Sequence, residues 1–118
     1  MNNIENLFTS EVHKQRFREL ASLDTTSTRD IERNALFFIL SGNEELWNNR
    51  TKIYDTKKHM INSRNINKLP ISSSGKAMLL AGLNLYNSYK CLDFTSTFSC
   101  LDKKNLNIML NSIVIRFF

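Results

Sequence analysis

The fold of this chain is decided by one stretch, Ala35-Leu36-Phe37-Phe38-Ile39-Leu40. Its side chains are all apolar, so a helix that contains them is hydrophobic around its whole circumference instead of on one face. Such a helix lies in the centre of a small domain and contacts neighbours on several sides. We therefore expect a central helix from about Thr28 to Ser41. Ser27 and Asp30 form its expected capping box, and Gly42 suits the left-handed residue that ends it.

Three more long helices are predicted, one before the central helix in the sequence and two after it. The first runs from Glu11 to about Leu23 with a narrow apolar stripe, which is typical of an outer helix packed on one face. The second runs from Ser73 or Ser74 to about Tyr89. The third is capped by Asp102, and its apolar residues recur at helical spacing, which indicates one buried stripe. The stripe consists of Leu106, Met109, Leu110, Ile113 and Phe117.

The stretch between Thr51 and Ile71 is less regular than the rest. A short helix from Glu44 to Asn49 precedes it, and Lys52-Ile53-Tyr54-Asp55 fits either a short strand or a helical turn. A small hairpin is therefore an open alternative within residues 51–71. Together these patterns predict a mostly α, compact single-domain fold of about four to five helices over residues 1–118.

The composition agrees with this fold and argues against several others. With 118 residues, of which 42% are hydrophobic, the chain is long enough for one domain with its own core. Three glycines and one proline are too few for the many tight turns of a β-sandwich or barrel. The start of the chain has no secretion signal, and no apolar run approaches the roughly 20 residues that span a bilayer. We expect a cytoplasmic protein with no membrane association.

Positive charge is concentrated in the middle of the chain. Residues 48–76, which we call the basic segment, contain seven Lys or Arg residues and one carboxylate, a net charge of +6. Residues 1–47 carry −3 and residues 77–118 carry +2. A one-sided distribution of this kind sets up a field that steers an anionic partner.

Two aromatic side chains lie among these cations. Aromatic faces stack on bases while Lys and Arg neutralise phosphates, so the combination suits nucleic acid as well as an acidic protein surface. For Trp47 the alternative interpretation is that it anchors its short helix on the core. The residues predicted to contact a partner are Trp47, Arg50, Lys52, Tyr54, Lys57, Lys58, Arg64, Lys68 and Lys76.

One stretch in the basic segment resembles the end of a phosphate-binding loop, Ser72-Ser73-Ser74-Gly75-Lys76. The full motif needs a glycine five residues before Gly75 and a hydroxyl residue after the lysine, but Pro70 and Ala77 stand there. The stretch is instead typical of a serine-rich helix N-terminus, whose free N–H groups suit an anion.

The histidines and cysteines do not predict a metal or catalytic site. His13 and His59 have no cysteine or carboxylate at ligand spacing, and a zinc site needs four ligands. Cys91 and Cys100 fit no metal-binding motif, so we expect buried, reduced thiols. We therefore expect no enzyme activity, no cofactor and no metal.

The chain ends on Arg116-Phe117-Phe118. Two adjacent aromatic side chains on a helix point in different directions, so one continues the buried stripe and the other needs cover. The basic segment or a second subunit would supply that cover. A homodimer is therefore an open alternative.

Several segments of the chain stand out as blocks. They are Glu32-Arg33-Asn34-Ala35-Leu36-Phe37-Phe38-Ile39-Leu40-Ser41-Gly42-Asn43, Ile53-Tyr54-Asp55, Leu85-Tyr86-Asn87, Leu101-Asp102 with Asn105, and Ile113 with Ile115-Arg116-Phe117. In this order and spacing they resemble an uncharacterised bacterial and phage family of single-domain proteins of about this length. The chain departs from the family pattern at Leu83-Asn84 and at Leu106. These departures are substitutions of the kind found in hydrophobic cores.

The resemblance supplies no activity and no site residues. It implies a group that travels with phages and mobile elements, and small proteins in such settings bind and block host machines. The leading hypothesis is a non-enzymatic protein that inhibits a host nucleic-acid-handling or defence machine such as a CRISPR effector, through an acidic surface of a host protein or ribonucleoprotein. The alternatives are a direct nucleic-acid-binding module and, third, a cryptic small enzyme or nucleotide binder.

Overall fold

The computed structural model of the protein describes residues 4–118, so residues 1–3 of the predicted domain lie outside the described part. It confirms a mostly α, compact single domain with one small hairpin. The elements are a 3-10 turn (Ile4–Asn6), α1 (Glu11–Asp24), α2 (Ile31–Gly42), α3 (Glu44–Asn48), α4 (Arg50–Ile53), β1 (Tyr54–Asp55), β2 (Met60–Ile61), a 3-10 helix (Ser63–Lys68), α5 (Ser73–Asn87), α6 (Phe94–Phe98) and α7 (Lys103–Phe117).

Helix α2 is the centre of the fold, as its apolar stretch predicts. Residues 35–40 are all 0% exposed, and α2 packs against α1, α5 and α7. The helix begins at Ile31, three residues later than expected, because Asp30 is its N-cap and accepts a hydrogen bond from the Arg33 backbone N–H at 3.1 Å. The expected capping box is wrong, since the Ser27 hydroxyl accepts from the backbone N–H of Arg29 within the preceding loop.

Gly42 has a different role from the expected left-handed cap. No glycine among residues 4–118 has a positive φ, and Gly42 is the last residue of α2. A Cβ atom at this position would lie 2.9 Å from Ile108 Cδ1 and 3.0 Å from His13 Nε2. The missing side chain therefore lets α1 and α7 approach the end of the central helix. Asn43 caps α3 as expected, because its side chain accepts from the Leu46 N–H.

The irregular stretch contains the hairpin that the sequence left open. Strands β1 and β2 are antiparallel, with Tyr54 opposite Ile61 and Asp55 opposite Met60. The helical-turn alternative also holds in part, because α4 ends just before β1. The Asp55 carboxylate closes the turn by accepting hydrogen bonds from the backbone N–H groups of Lys57 and Lys58 at 2.9 and 3.0 Å.

The last two long helices correct two details. Ser72 caps α5, one residue before the expected Ser73 or Ser74, while Asp102 caps α7 as expected. Helix α7 is rotated from the predicted stripe, since Leu110 is 46% exposed and Ser112 is buried. Ser112 is accommodated because its hydroxyl donates to the Met109 carbonyl oxygen at 2.7 Å. The buried residues of this helix are Ile108, Met109 and Ser112.

Two other expectations concern the cysteine thiols and membrane-spanning helices. The cysteines are not buried as expected, since Cys91 is only half-buried and Cys100 is exposed. Across residues 4–118, every helix is too short or too polar to pass through a bilayer.

Candidate interaction surface

Residues 50–68 form one local unit, which we call the basic unit. It consists of α4, the hairpin and the second 3-10 helix. Two asparagine side chains hold its ends together: Asn62 Nδ2 donates to the Thr51 carbonyl at 3.2 Å, and Asn65 Nδ2 donates to the Lys52 carbonyl at 3.1 Å. Ile53 and Ile66 are both fully buried and attach the unit to the core. The unit is therefore an anchored substructure and not a loose loop.

Five cations of the basic unit face solvent without an anionic partner. In a 3-10 helix every third residue lies on the same side, so the inward position of Ile66 turns its flanking cations outwards. None of the five takes part in an ion pair within the described part of the chain. The exposed cations are Lys52, Lys57, Lys58, Arg64 and Lys68.

The carboxylates of the protein are used elsewhere. Glu5 pairs with Lys14 and Arg18 of α1, and Glu44 pairs with Arg16 at 2.6 Å. Asp30 and Glu32 of the α2 region pair with Arg33 and Arg116, respectively. Asp55 is the one carboxylate of the basic unit, and backbone N–H groups of its own turn lower the pKa of that carboxyl. Asp55 offsets one of the six positive charges of the unit, which therefore keeps a net charge of +5.

Four of the predicted contact residues serve the fold instead. Tyr54 is 2% exposed, and its ring packs edge-on against Phe37 at 5.0 Å between centroids. Trp47 is 7% exposed, so the core-packing alternative is confirmed. Arg50 covers the Trp47 ring, with its guanidinium carbon 3.8 Å from the ring centroid. Lys76 Nζ donates to the Ile66 carbonyl at 2.9 Å and to Asn67 Oδ1 at 3.0 Å. These contacts remove both expected stacking faces from the surface.

A buried carboxylate that the sequence did not reveal lies behind the hairpin. The Asp24 side chain is 1% exposed, and its Oδ1 accepts from the Tyr54 hydroxyl and from His59 Nδ1, both at 2.9 Å. Burial raises the pKa of this carboxyl, but the hydrogen bonds from Thr26, His59 and Tyr54 outweigh it, and the net pKa lies below the ordinary value. Burial and the neighbouring Asp24 charge raise the pKa of Tyr54.

Arg33 connects this network to the rest of the molecule. Its Nη1 bonds Asp30 at 2.9 Å, and its Nη2 donates to both the His59 carbonyl and the Tyr86 hydroxyl at 3.1 Å. The Nε atom is buried without a hydrogen bond and lies 3.8 Å from Asp24 Oδ2. His59 adopts a left-handed φ of 56°, which these two attachments of its ring and carbonyl hold in place. Arg33 therefore joins the hairpin turn to α2 and α5.

The network has limited signals in the sequence. Asp24 lies between 6 and 35 positions from Asp30, Tyr54 and His59, so no local spacing predicts the cluster. Arg33, Tyr54 and Tyr86 do lie in three of the blocks that carry the family resemblance, and that coincidence was the available signal. The hydrogen bond between His59 Nδ1 and Asp24 Oδ1 fixes the turn that carries Lys57 and Lys58. Among residues 4–118, no group of three His, Cys, Asp or Glu side chains is placed to hold a metal ion.

Comparison with known proteins places the whole chain in one family. Searches of curated proteins and of solved structures gave no match. The sequence model of DUF6075, a family of unknown function, matches residues 1–118. The match agrees with the resemblance to an uncharacterised single-domain family, and the chain belongs to the DUF6075 family of unknown function.

Proposed function

We propose that this protein is a non-enzymatic interaction protein whose basic unit binds an acidic surface of a host macromolecular machine. The observation that carries the proposal is the set of five exposed cations that form no ion pair within residues 4–118, on an anchored scaffold. Exposed cations on a fixed scaffold lose little conformational freedom of the backbone on binding, and their field accelerates association with an anionic surface.

An acidic protein surface fits these observations better than single-stranded nucleic acid does. Proteins that bind single strands combine cations with aromatic faces on which bases stack. Tyr54 is the aromatic residue of the basic segment and Trp47 directly precedes the segment, and both are buried. Charge remains available at the surface of the unit, whereas the stacking platforms expected there are not. Direct nucleic-acid binding is therefore the second candidate.

The concrete form of the proposal is an inhibitor linked to phages or mobile elements. Its target is a cytoplasmic host machine that handles nucleic acid or provides defence, such as a CRISPR effector. The support for this form is the resemblance of the sequence blocks together with the charge of the basic unit.

Capture from host lysate with a charge-swapped control tests the proposal. The triple variant Lys57→Glu, Lys58→Glu and Arg64→Glu reverses three exposed cations of the unit. Its matched control is Arg29→Glu, Lys103→Glu and Lys104→Glu, which makes the same change of charge at exposed positions outside the basic segment. We expect one specific host partner with the wild-type chain and the control, and its loss with the triple variant. Capture that is equal for all three, or no partner together with intact host defence on expression, would contradict the proposal.

A salt titration separates the two candidates. If four cations of the unit bound phosphates, the logarithm of the affinity for DNA or RNA would fall with the logarithm of salt concentration at a slope of about −3.6. A protein-directed inhibitor has little affinity for free nucleic acid at physiological salt. Tight, salt-dependent binding to an oligonucleotide that the triple variant abolishes would favour the second candidate.

The C-terminal aromatics support a further partner, a second copy of the chain. Phe117 and Phe118 are 61% and 80% exposed, so neither continues the buried stripe as expected. They line a groove of about 500 Å³ between α1, α2 and the end of α7. Self-association would cover them. Sedimentation of the wild type and of Phe118→Ser tests this: a dimer that the variant dissociates supports it, and a monomer at all concentrations contradicts it.

A further inference from the structure

A small apolar cleft lies beside the exposed cations. It runs between the hairpin, the start of the second 3-10 helix and the C-terminal end of α5, and its volume is about 280 Å³. This is smaller than the sites that enclose drug-sized ligands, which are about 300–1,000 Å³. The cleft has room for one large side chain. The lining residues are Met60, Ile61, Ser63, Tyr86, Asn87 and Tyr89.

The walls of the cleft are fixed before any partner binds. On one side, Arg33 Nη2 bonds both the His59 carbonyl and the Tyr86 hydroxyl, which ties the hairpin wall to the α5 wall. On the other side, Tyr89 is held by two asparagines of α5. Asn84 Nδ2 donates to the Tyr89 carbonyl at 2.8 Å, and Asn87 Oδ1 accepts from the Tyr89 N–H at 3.2 Å. A cleft held in this way loses little conformational freedom on binding.

Three exposed cations adjoin the lining residues of the cleft along the chain. Lys58 precedes Met60 by two residues, Arg64 follows Ser63 directly, and Lys90 follows Tyr89. All three cations are exposed and form no ion pair in the described part of the chain. An apolar centre surrounded by charged residues is the arrangement that protein interfaces use for an anchor side chain.

From the size, the lining and the adjoining cations, we infer that this cleft binds one aromatic side chain from an acidic peptide segment of the partner. The inference rests on the proposed function and names the chemistry of its partner. Met60 is 52% exposed, and its thioether can adapt to an aromatic ring, while the tyrosines offer ring faces or edges. A nucleobase fits less well, because the Met60 and Ile61 side chains that line the cleft offer no hydrogen-bond partner to the edge of a base.

Two synthetic peptides test the inference with the full chain. Each has seven residues, six of them Asp or Glu, and the central residue is Phe in one peptide and Ala in the other. Binding is followed by backbone amide NMR. We expect the Phe peptide to bind about tenfold more tightly than the Ala peptide, with shifts at Met60, Ile61, Tyr86 and Tyr89.

Two variants locate the effect. Met60→Ala shortens one wall of the cleft, and we expect it to remove most of the preference for the Phe peptide while leaving the affinity for the Ala peptide unchanged. Leu110→Ala is the matched control, because Leu110 is similarly exposed at 46% but lies on α7, and we expect it to change neither affinity. Both variants alter half-exposed side chains, and the same spectra report whether they are folded.

The outcomes distinguish this inference from the proposed function. If both peptides bind equally, and the Lys57, Lys58 and Arg64 charge-swap weakens both, the charged surface stands and the aromatic site is overturned. If neither peptide changes the amide chemical shifts of the cleft residues, the aromatic site is overturned. The capture experiment from host lysate then still tests the proposed function separately. Shifts at Tyr86 and Tyr89 caused by an oligonucleotide and not by the Phe peptide would also overturn it.

Discussion

The Tyr54 hydroxyl offers a direct test of whether this residue serves the fold or a partner. In Tyr54→Phe the ring keeps its edge-on contact with Phe37, and only the hydroxyl that donates to Asp24 at 2.9 Å is lost. The buried carboxylate then retains hydrogen bonds from Thr26 and His59. A hydrogen bond to a charged group contributes about 1.5–3 kcal/mol, so we expect the free energy of unfolding to fall by that amount.

Urea unfolding at pH 7 measures this loss. With a urea slope of about 2 kcal/mol/M, a loss of 2 kcal/mol moves the midpoint by about 1 M. Tyr86→Phe is the matched control, because its hydroxyl accepts from Arg33 Nη2, which also bonds the His59 carbonyl. We expect the control to cost less than Tyr54→Phe, because Arg33 Nη2 keeps its hydrogen bond to the His59 carbonyl and Tyr86 is only half-buried. In an Asp24→Asn background the cost of Tyr54→Phe should shrink, since the acceptor no longer carries a charge.

The opposite result would refute the reasoning. If Tyr54→Phe left the urea midpoint unchanged and abolished capture of the host partner, Tyr54 would be a contact residue, as the sequence alone suggested. An equal loss of stability in the Asp24→Asn background would mean that the hydroxyl acts through some other group. Either outcome would show that the Asp24 charge is not what holds the hairpin in position.

Two further predictions concern the junction of α1, α2 and α7. Gly42→Ala places a methyl group 2.9 Å from Ile108 Cδ1 and should destabilise the fold by about 1–3 kcal/mol by thermal or urea unfolding; an unchanged midpoint would show that the helices can separate at no cost. Burial lowers the pKa of His13, whose Nε2 donates to the Phe38 carbonyl at 2.8 Å. Because the unfolded state then binds the proton more readily, stability should be full above about pH 6.5 and decline as the pH falls below it, by at most about 1.4 kcal/mol per pH unit from this group. Urea midpoints from pH 7.5 to 5 check the decline, and His13→Gln should flatten it.

The parts of the fold that sequence predicts well are those set by local chemistry. Residues 35–40 are apolar on all sides, and no position for that helix except the centre buries them. The caps at Ser10, Asn43 and Asp102 follow from side chains that reach N–H groups only two or three residues away. The hairpin was only an open alternative, because strands of two residues are too short to show a period.

The parts that sequence did not predict depend on distant partners. The periodicity of α7 predicted that Leu110 and Phe117 face the core. In the structure α7 is rotated by about one position, because Ile108 fits beside Gly42. Among the predicted contact residues, Tyr54 and Lys76 looked like members of a charged surface. Their polar atoms instead satisfy Asp24 and the 3-10 helix, and neither partner lies at a spacing that a local pattern could reveal.

The charged residues near the hairpin fall into two groups, one that holds the turn in place and one that stays exposed to solvent. The Asp24 carboxylate is buried and accepts a hydrogen bond from His59 Nδ1, and Arg33 donates to the His59 carbonyl, so these two hydrogen bonds fix the turn. Lys57 and Lys58, on that same turn, stay in solvent, where the high dielectric constant of water keeps the repulsion between them weak. The network around the buried Asp24 thus positions exposed cations of the basic unit without neutralising their charge. If the network fixes the turn for binding, Arg33→Leu should loosen the hairpin and weaken capture of the partner even though Arg33 does not itself contact it. Hydrogen exchange at Lys57–Met60 would measure the loosening, and unchanged exchange with weakened capture would show that Arg33 acts by contact instead.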